Sequence, residues 1–168
     1  MAANSALRQF LLDAGHGNIL PFVRIEHLAS DQTRTVSQLR ADDIGQMVAL
    51  DAVTTKISGV SPRLYCAVFE CVACGHSMEI NQPNEQELIE PLECSQIDGG
   101  CGRPKRQTRF QLQQQASHLI NSQFIELQEL PEQMKGGIQP ERIICIGEQD
   151  LAGKLNPGDR VKANGVLF

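Results

Sequence analysis

Four of the chain's six cysteines fall in two close pairs. Cys71 and Cys74 are spaced C-x2-C, and Cys94 and Cys101 further along are spaced C-x6-C. Three chemistries pair cysteines in this way. Two disulfides would need an oxidising compartment. A redox dithiol of the thioredoxin kind would need a helix opening at the first cysteine, and "GHSMEINQPNE" after Cys74 is no helix start. A tetrahedral Zn²⁺ needs four thiolates, each pair on its own tight turn. Gly75 directly after the first pair, and Gly99 with Gly100 inside the second, give such turns room. Four thiolates leave no coordination position open, so one such ion per chain would be structural. His76 could stand in for one thiolate, although a surface position suits it better. Cys66 and Cys145 alternate into apolar runs beside Leu64, Val68 and Ile143, which makes them core thiols.

The rest of the chain must position these groups. It has 168 residues, 41% apolar and 21% charged, which is the balance of a folded domain. No run of apolar residues approaches the twenty of a membrane span. The first residues, "MAANSALRQFLLDAGHGN", lack the basic start of a signal peptide, which points to a reducing compartment. The net charge of −5 argues against a general nucleic-acid binder, but the charge is unevenly spread. Glu79, Glu85, Glu87, Glu90, Glu93 and Asp98 follow one another without a base, and then Arg103, Lys105, Arg106 and Arg109 follow without an acid. A polyanion feels local potential, so an acidic chain can still carry a basic stripe.

"SALRQFLLDAG" predicts a short helix, with Ser5 as its cap and Gly15 at its end. "SQLRADDIG" predicts another turn or two, from Ser37 to Gly45. From Gln46 onward the pattern turns β-branched and alternating. Strands are expected in "QMVALDAVTTKIS", "RLYCAVFEC", "TRFQLQ", "FIELQEL", "RIICIG" and "DRVKANGVLF". "PGD" at 157–159 is a turn, and "EQDLAGK" is a short helical link. Five or six strands with little helix suggest a small barrel, and the cysteine block falls between its second and third strands as an insertion.

With these elements in place, "TVSQLRADDIGQMVALDAVTTKISGVSPRLYCAVFECVACG" resembles the N-terminal region of the minichromosome maintenance (MCM) helicases. The likeness resumes in "FIELQELPEQMKGGIQPERIICIGEQDLAGKLNPGDRVKANGVLF", through Gln128-Glu129, Gly137, Pro140-Glu141-Arg142, Asp150-Leu151 and Pro157-Gly158-Asp159. The resemblance covers roughly residues 22–168. It implies a mainly β chain: an OB-fold, the five-stranded Greek-key barrel, interrupted by a zinc-binding subdomain and preceded by a short helical segment. The implied division is 1–45 for the helical lead-in, 46–70 with 105–168 for the barrel, and 71–104 for the zinc lobe.

In function, the resemblance implies a non-catalytic collar in a hexameric or double-hexameric ring, acting in replication initiation and DNA unwinding. Its partners would be single- and double-stranded DNA, further copies of itself and an ATPase module of the parent helicase, with no membrane. It would work in the cytoplasm at the nucleoid if archaeal, and in the nucleus if eukaryotic. The chain itself would not hydrolyse ATP, because "AGKL" at 152–155 lacks the flanking residues of a phosphate loop. The family's helical subdomain is longer than the material before Phe22, Asp51-Ala52 replaces a common Glu-Gly, and "GVLF" falls where the family's DNA-contacting hairpin would begin. The loop with Gln128, Glu129, Gly136, Gly137 and Pro140 corresponds to one that passes signals between subunits.

An OB barrel suits single strands through basic residues and stacking aromatics. Aromatics are only 4% of the chain and Trp is absent, so backbone contacts from bases are the expected mode. The candidates are Lys56 and Arg63 around the first strand turn, and Arg103, Lys105, Arg106 and Arg109 after the cysteines. A free-standing zinc-ribbon and OB module binding single-stranded RNA or DNA has the same composition but not the ordered motifs. A zinc hydrolase would need an open coordination position.

Overall fold

The computed structural model describes residues 2–16, 21–83, 87–133 and 139–168; of the residues named above, Glu85, Gly136 and Gly137 lie outside these. The helix is α1, Ala2–Asp13. The strands are β1 Thr33–Arg34, β2 Met47–Ile57, β3 Ser61–Cys71, β4 Ser77–Asn81, β5 Phe110–Leu112, β6 His118–Glu129, β7 Arg142–Glu148 and β8 Arg160–Val166. The chain divides into two compact units. The first holds Met1–Val53, Gln128–Glu141 and Arg160–Phe168, and the second holds Thr54–Leu127 and Arg142–Asp159. All four paired cysteines and the whole of 71–104 belong to the second.

In the first unit, the chain turns away two residues past α1 at Gly15, whose φ of +80° only glycine adopts freely. Ser5 lies inside the helix, which begins earlier than expected. The stretch expected to be helical from Ser37 forms two single 3₁₀ turns, Val36–Gln38 and Ala41–Asp43. Thr35 precedes the first turn, so Ser37 is not its cap, and the Ser37 hydroxyl instead donates to Glu129 Oε1 at 2.7 Å. Beyond Gly45, β2 pairs antiparallel with β8, Met47 to Val166 through Val53 to Arg160, and parallel with β1. Val48, Ala49, Leu50 and Ala52 are buried there.

In the second unit, β3 runs antiparallel to β6 from the pair Ser61–Ser122 onward, and its register shifts between Leu64 and Cys66. Past that irregularity β3 pairs with β4 and then with β5, so the strand leads directly into the cysteine lobe. Such a local break bends a strand and re-aims its side chains. Cys66, Ala67, Phe69, Ile120, Ile125 and Leu127 are buried, and Phe69 and Leu127 are the largest side chains fully out of solvent. The turn expected at "PGD" is present: Gly158, with φ +96°, donates to the Thr54 carbonyl, and the Thr54 amide donates to the Asp159 carbonyl. The helical link at "EQDLAGK" is a single 3₁₀ turn, Gln149–Leu151.

Candidate metal centre and basic residues

Cys71 is the last residue of β3, and the chain reverses immediately after it. The Cys74 and Gly75 amides both donate to the Cys71 carbonyl, at 3.3 and 2.8 Å, and Gly75 has φ +73°. The second pair arrives on a segment that folds back on itself. The Cys94 amide donates to the Arg103 carbonyl at 2.9 Å, and the Lys105 amide donates to the Leu92 carbonyl at 2.8 Å. The Gly99 and Gly100 amides close the intervening loop onto Gln96 and Ser95.

These turns bring the four Sγ atoms within 4.8 Å of one another. Cys71 and Cys101 are 3.9 Å apart, and Cys74 and Cys94 are 3.6 Å apart. Ligands about 2.3 Å from a tetrahedral Zn²⁺ stand roughly 3.8 Å from each other, so the separations suit that ion. None of the six cysteines is in a disulfide, and Cys66 and Cys145 stand outside the cluster. Gly100 is a steric requirement: a Cβ there would come within 2.4 Å of Cys94 Sγ and 2.6 Å of the Ser95 carbonyl oxygen. His76 lies beside Gly100 and contributes no ligand atom to the cluster.

The thiols are electrostatically unequal. The Thr108 hydroxyl, 3.5 Å away, brings Cys71 down to about 6 despite its burial. Burial pushes Cys94 up to about 12, only partly opposed by the Cys101 amide, which donates to its sulfur at 3.3 Å. Four sulfurs this close cannot all carry charge unaided. A divalent cation among them reverses the cost of burial, because a coordinating thiol is deprotonated outright. This chemistry fits four soft donors, and the residues present can hold a metal ion.

The basic candidates divide by environment. Arg63 is only 8% exposed and faces inward. Its Nε donates to Glu148 Oε1 at 2.8 Å, and its Nη1 donates to the carbonyls of Leu64 and Gln82. The expectation that it reaches outward is corrected: its charge is spent inside the protein. Lys105 pairs with Glu90 at 2.8 Å, because the acidic segment and the basic segment run antiparallel through the Glu93–Pro104 bridge. The acidic and basic stretches, separate in sequence, are therefore neighbours. Arg103, Arg106 and Arg109 are exposed and form no ion pair among the described residues. Lys56 is exposed and stands 3.8 Å from Glu126. The Glu126 carboxyl is held below its ordinary range, first by the Thr55 hydroxyl and then by the charges of Lys56 and Arg142.

Of the loop residues, Glu129 is buried, and its amide donates to the Glu141 carbonyl at 3.1 Å. Gln128, at the end of β6, and Pro140 are both half-buried. Arg142, read in the sequence only as part of the Pro140-Glu141-Arg142 triplet, donates from Nη1 to Glu126 Oε1 at 3.2 Å.

A mainly β domain with a four-thiol lobe opening from one of its strands defines a class, that of OB-fold domains carrying a metal-binding insertion. Residues 35–168 match the family model of the MCM OB domain, and the chain belongs to that family. It is 30% identical over 156 residues to the minichromosome maintenance protein MCM of Saccharolobus solfataricus, covering 93% of this chain and 22% of that protein. It is 33% identical over 135 residues to the DNA replication licensing factor MCM7 of Oryza sativa, covering 80% of this chain and 18% of that protein. The chain thus spans about a fifth of the length of these relatives. The crystal structure of the N-terminal domain of an archaeal MCM superposes with a TM-score of 0.68 and 32% identity, over 81% of this chain and 51% of that one. The OB-fold read from the sequence is the fold of this chain.

Proposed function

We propose that this chain is the non-catalytic, DNA-binding and ring-forming collar of an ATP-dependent replicative DNA helicase, holding one structural Zn²⁺ on Cys71, Cys74, Cys94 and Cys101. The match of residues 35–168 to the MCM OB domain carries the reading. The curated relatives named as replication licensing factors support a place in DNA replication, at the nucleoid or in the nucleus. The four-sulfur geometry supports the metal. In this reading, Lys56, Arg103, Lys105, Arg106 and Arg109 face single- or double-stranded DNA and Arg63 does not. Gln128, Glu129 and Pro140, with Gly136 and Gly137, signal to the ATPase module of a neighbouring subunit. Copies of the chain assemble as a hexamer or double hexamer.

Five exposed bases can meet about three or four phosphates per subunit, each contributing about −0.7 to the slope of log affinity against log salt on single strands. The test is anisotropy of a fluorescent oligothymidylate across a salt series, run beside elemental analysis and sedimentation. The expected result is one zinc per chain and weak, sequence-indifferent binding with a slope of about −2 to −3. Less than half an equivalent of zinc without chelator overturns the metal assignment. Absence of binding at low salt overturns the DNA assignment, and a monomer at high concentration overturns ring formation by this chain.

A further inference from the structure

Gln82 lies just past β4 and is only 3% exposed, yet each of its polar groups has a partner. Its amide donates to the Tyr65 carbonyl at 2.8 Å, and its carbonyl accepts from Arg63 Nη1 at 3.0 Å. Its side chain reaches across to Ile89. Gln82 Nε2 donates to the Ile89 carbonyl at 2.9 Å, and the Ile89 amide donates to Gln82 Oε1 at 2.8 Å. That reciprocal pair copies one step of a β-ladder, with a side-chain amide in place of a neighbouring peptide. Ile89 belongs to the acidic segment of the cysteine lobe, which goes on through Leu92, whose carbonyl accepts from the Lys105 amide, to Cys94.

Arg63 connects this clamp to β7. Its Nε donates to Glu148 Oε1 at 2.8 Å, and its Nη2 stands 2.5 Å from the same oxygen. A buried guanidinium that parted from its carboxylate, or from the Gln82 carbonyl, would leave unpaired groups out of water, which is costly. Arg63 therefore follows Glu148, and the Gln82 backbone follows Arg63. Glu148 is the last residue of β7, and the next residue, Gln149, has a φ of +58°, which is unusual for any residue but glycine. Strain of this kind persists only where its neighbours enforce it, and it clusters at clamps and switch segments.

We propose that Glu148, Arg63 and Gln82 form a relay from the turn after β7 to Ile89, and that Arg63 and Gln82 are positioning residues for the acidic segment of the cysteine lobe. The sulfur cluster closes the lobe, and the relay ties the stem of the lobe to the strands. A partner or ligand that shifts the turn Gln149–Leu151 thereby shifts the acidic segment. Coupling of this kind is reciprocal, so a pull on that segment is also felt at Glu148. The relay is separate from the DNA-binding and ring-forming readings and stands or falls without them.

The test is residue-resolved hydrogen exchange by NMR on the full chain purified without chelator. Glu148→Gln removes the charge at the far end of the relay and touches neither Gln82 nor Ile89. It is expected to speed exchange of the Ile89 amide about three- to ten-fold. The Gly75 and Gln107 amides, which bond to the Cys71 and Pro104 carbonyls off the relay, should keep their parental rates. Glu148→Asp keeps the charge and should give an Ile89 rate between those of the parent and Glu148→Gln. Gln82→Ala should have the largest effect, about ten-fold or more at Ile89, with the metal content of the parent retained. An unchanged Ile89 rate in Glu148→Gln overturns the relay, and so does a rise shared equally by Gly75 and Gln107, which would be a general loosening of the lobe. An Ile89 amide that is unprotected in the parent, or unaffected by Gln82→Ala, overturns the clamp itself. Should Glu148→Gln not fold, judged by its thermal midpoint, Glu148→Asp decides: a rise confined to Ile89 supports the relay, and no rise or a shared one overturns it.

Discussion

Along β3 and β6 most large apolar side chains point inward, whereas in the cysteine lobe most of the described ones point out. Phe69, Ile120, Ile125 and Leu127 are buried, while Leu92 is 82% exposed, Ile97 is 98% exposed, and Val72 and Leu88 are also open to solvent. Among the described residues, the apolar groups the lobe buries are Pro91, Met78 and the Cys71 and Cys94 thiols, with Phe110 packed against the last three. Burying a side chain the size of methionine contributes about 1.5 to 3 kcal/mol. Fixing each backbone residue costs roughly 1 to 2 kcal/mol, so apolar burial alone cannot order a lobe of this length. A structural zinc supplies on the order of 10 to 16 kcal/mol on binding. With the proposed zinc bound, the strands would be held by burial and the lobe by coordination. One chain can thus attach a functional extension without enlarging its core.

Removing the metal is the strongest way to break this comparison. Cys94→Ser, or a chelator, should abolish hydrogen-exchange protection from residue 87 to residue 105, a local loss on the order of 10 kcal/mol. Protection along β6 should persist. If β6 loses protection to the same degree, the two regions share one source of stability and the contrast is wrong. The opposite perturbation is Leu127→Ala, which empties a site only 1% exposed and should cost about 2 to 5 kcal/mol in denaturant unfolding. Folded Leu127→Ala should still hold a full equivalent of zinc at 25 °C. A lost metal would tie the lobe to that packing.

The smallest effect belongs to the polar edge of the strands. The Glu126 carboxyl titrates below its ordinary value in the folded state. Its contribution is therefore present above the ordinary carboxyl range and is lost as pH falls through the lowered folded value. Glu126→Gln should be less stable than the parent near neutral pH, and the two should converge in acid. Unfolding curves that stay apart at low pH would place its role elsewhere.

The legible parts of the sequence were those with a period. β2, β3, β6, β7 and β8 announce themselves by β-branched alternation, and the sulfur cluster by paired spacing and adjacent glycines. β4 was missed because "SMEIN" alternates over only five residues, and the pairing that makes it a strand comes from β3. β1, two residues long, owes its existence to β2. The segment from Thr35 to Gly45 carries helix-start residues without the length to propagate a helix, so it settles as 3₁₀ turns. Arg63 was misread because charge reports a side chain's chemistry and not its direction. The register shift after Leu64 and the acceptors on Glu148 and Gln82 come from positions distant in sequence. The pairing of Lys105 with Glu90 was hidden for the same reason, since two oppositely charged runs look separable until the backbone folds one against the other.

The cysteine cluster has two sheltered sulfurs and two open ones, and each pair contributes one of each. Cys71 and Cys94 are buried, and Cys74 and Cys101 are exposed. In a metal-loaded cluster this asymmetry sets the route of exchange. An incoming chelator or a competing soft ion meets Cys74 and Cys101 first and can displace one without touching the sheltered sulfurs. A bound ion would then still be held by Cys71 and Cys94, one from each turn, which would keep the lobe closed while ligands trade on its outer side. Oxidants and thiol-directed reagents have the same entrance, and their damage would start at Cys74 and Cys101. Turnover of a bound metal would then be a stepwise handover with a retained half-site, governed by two surface thiolates.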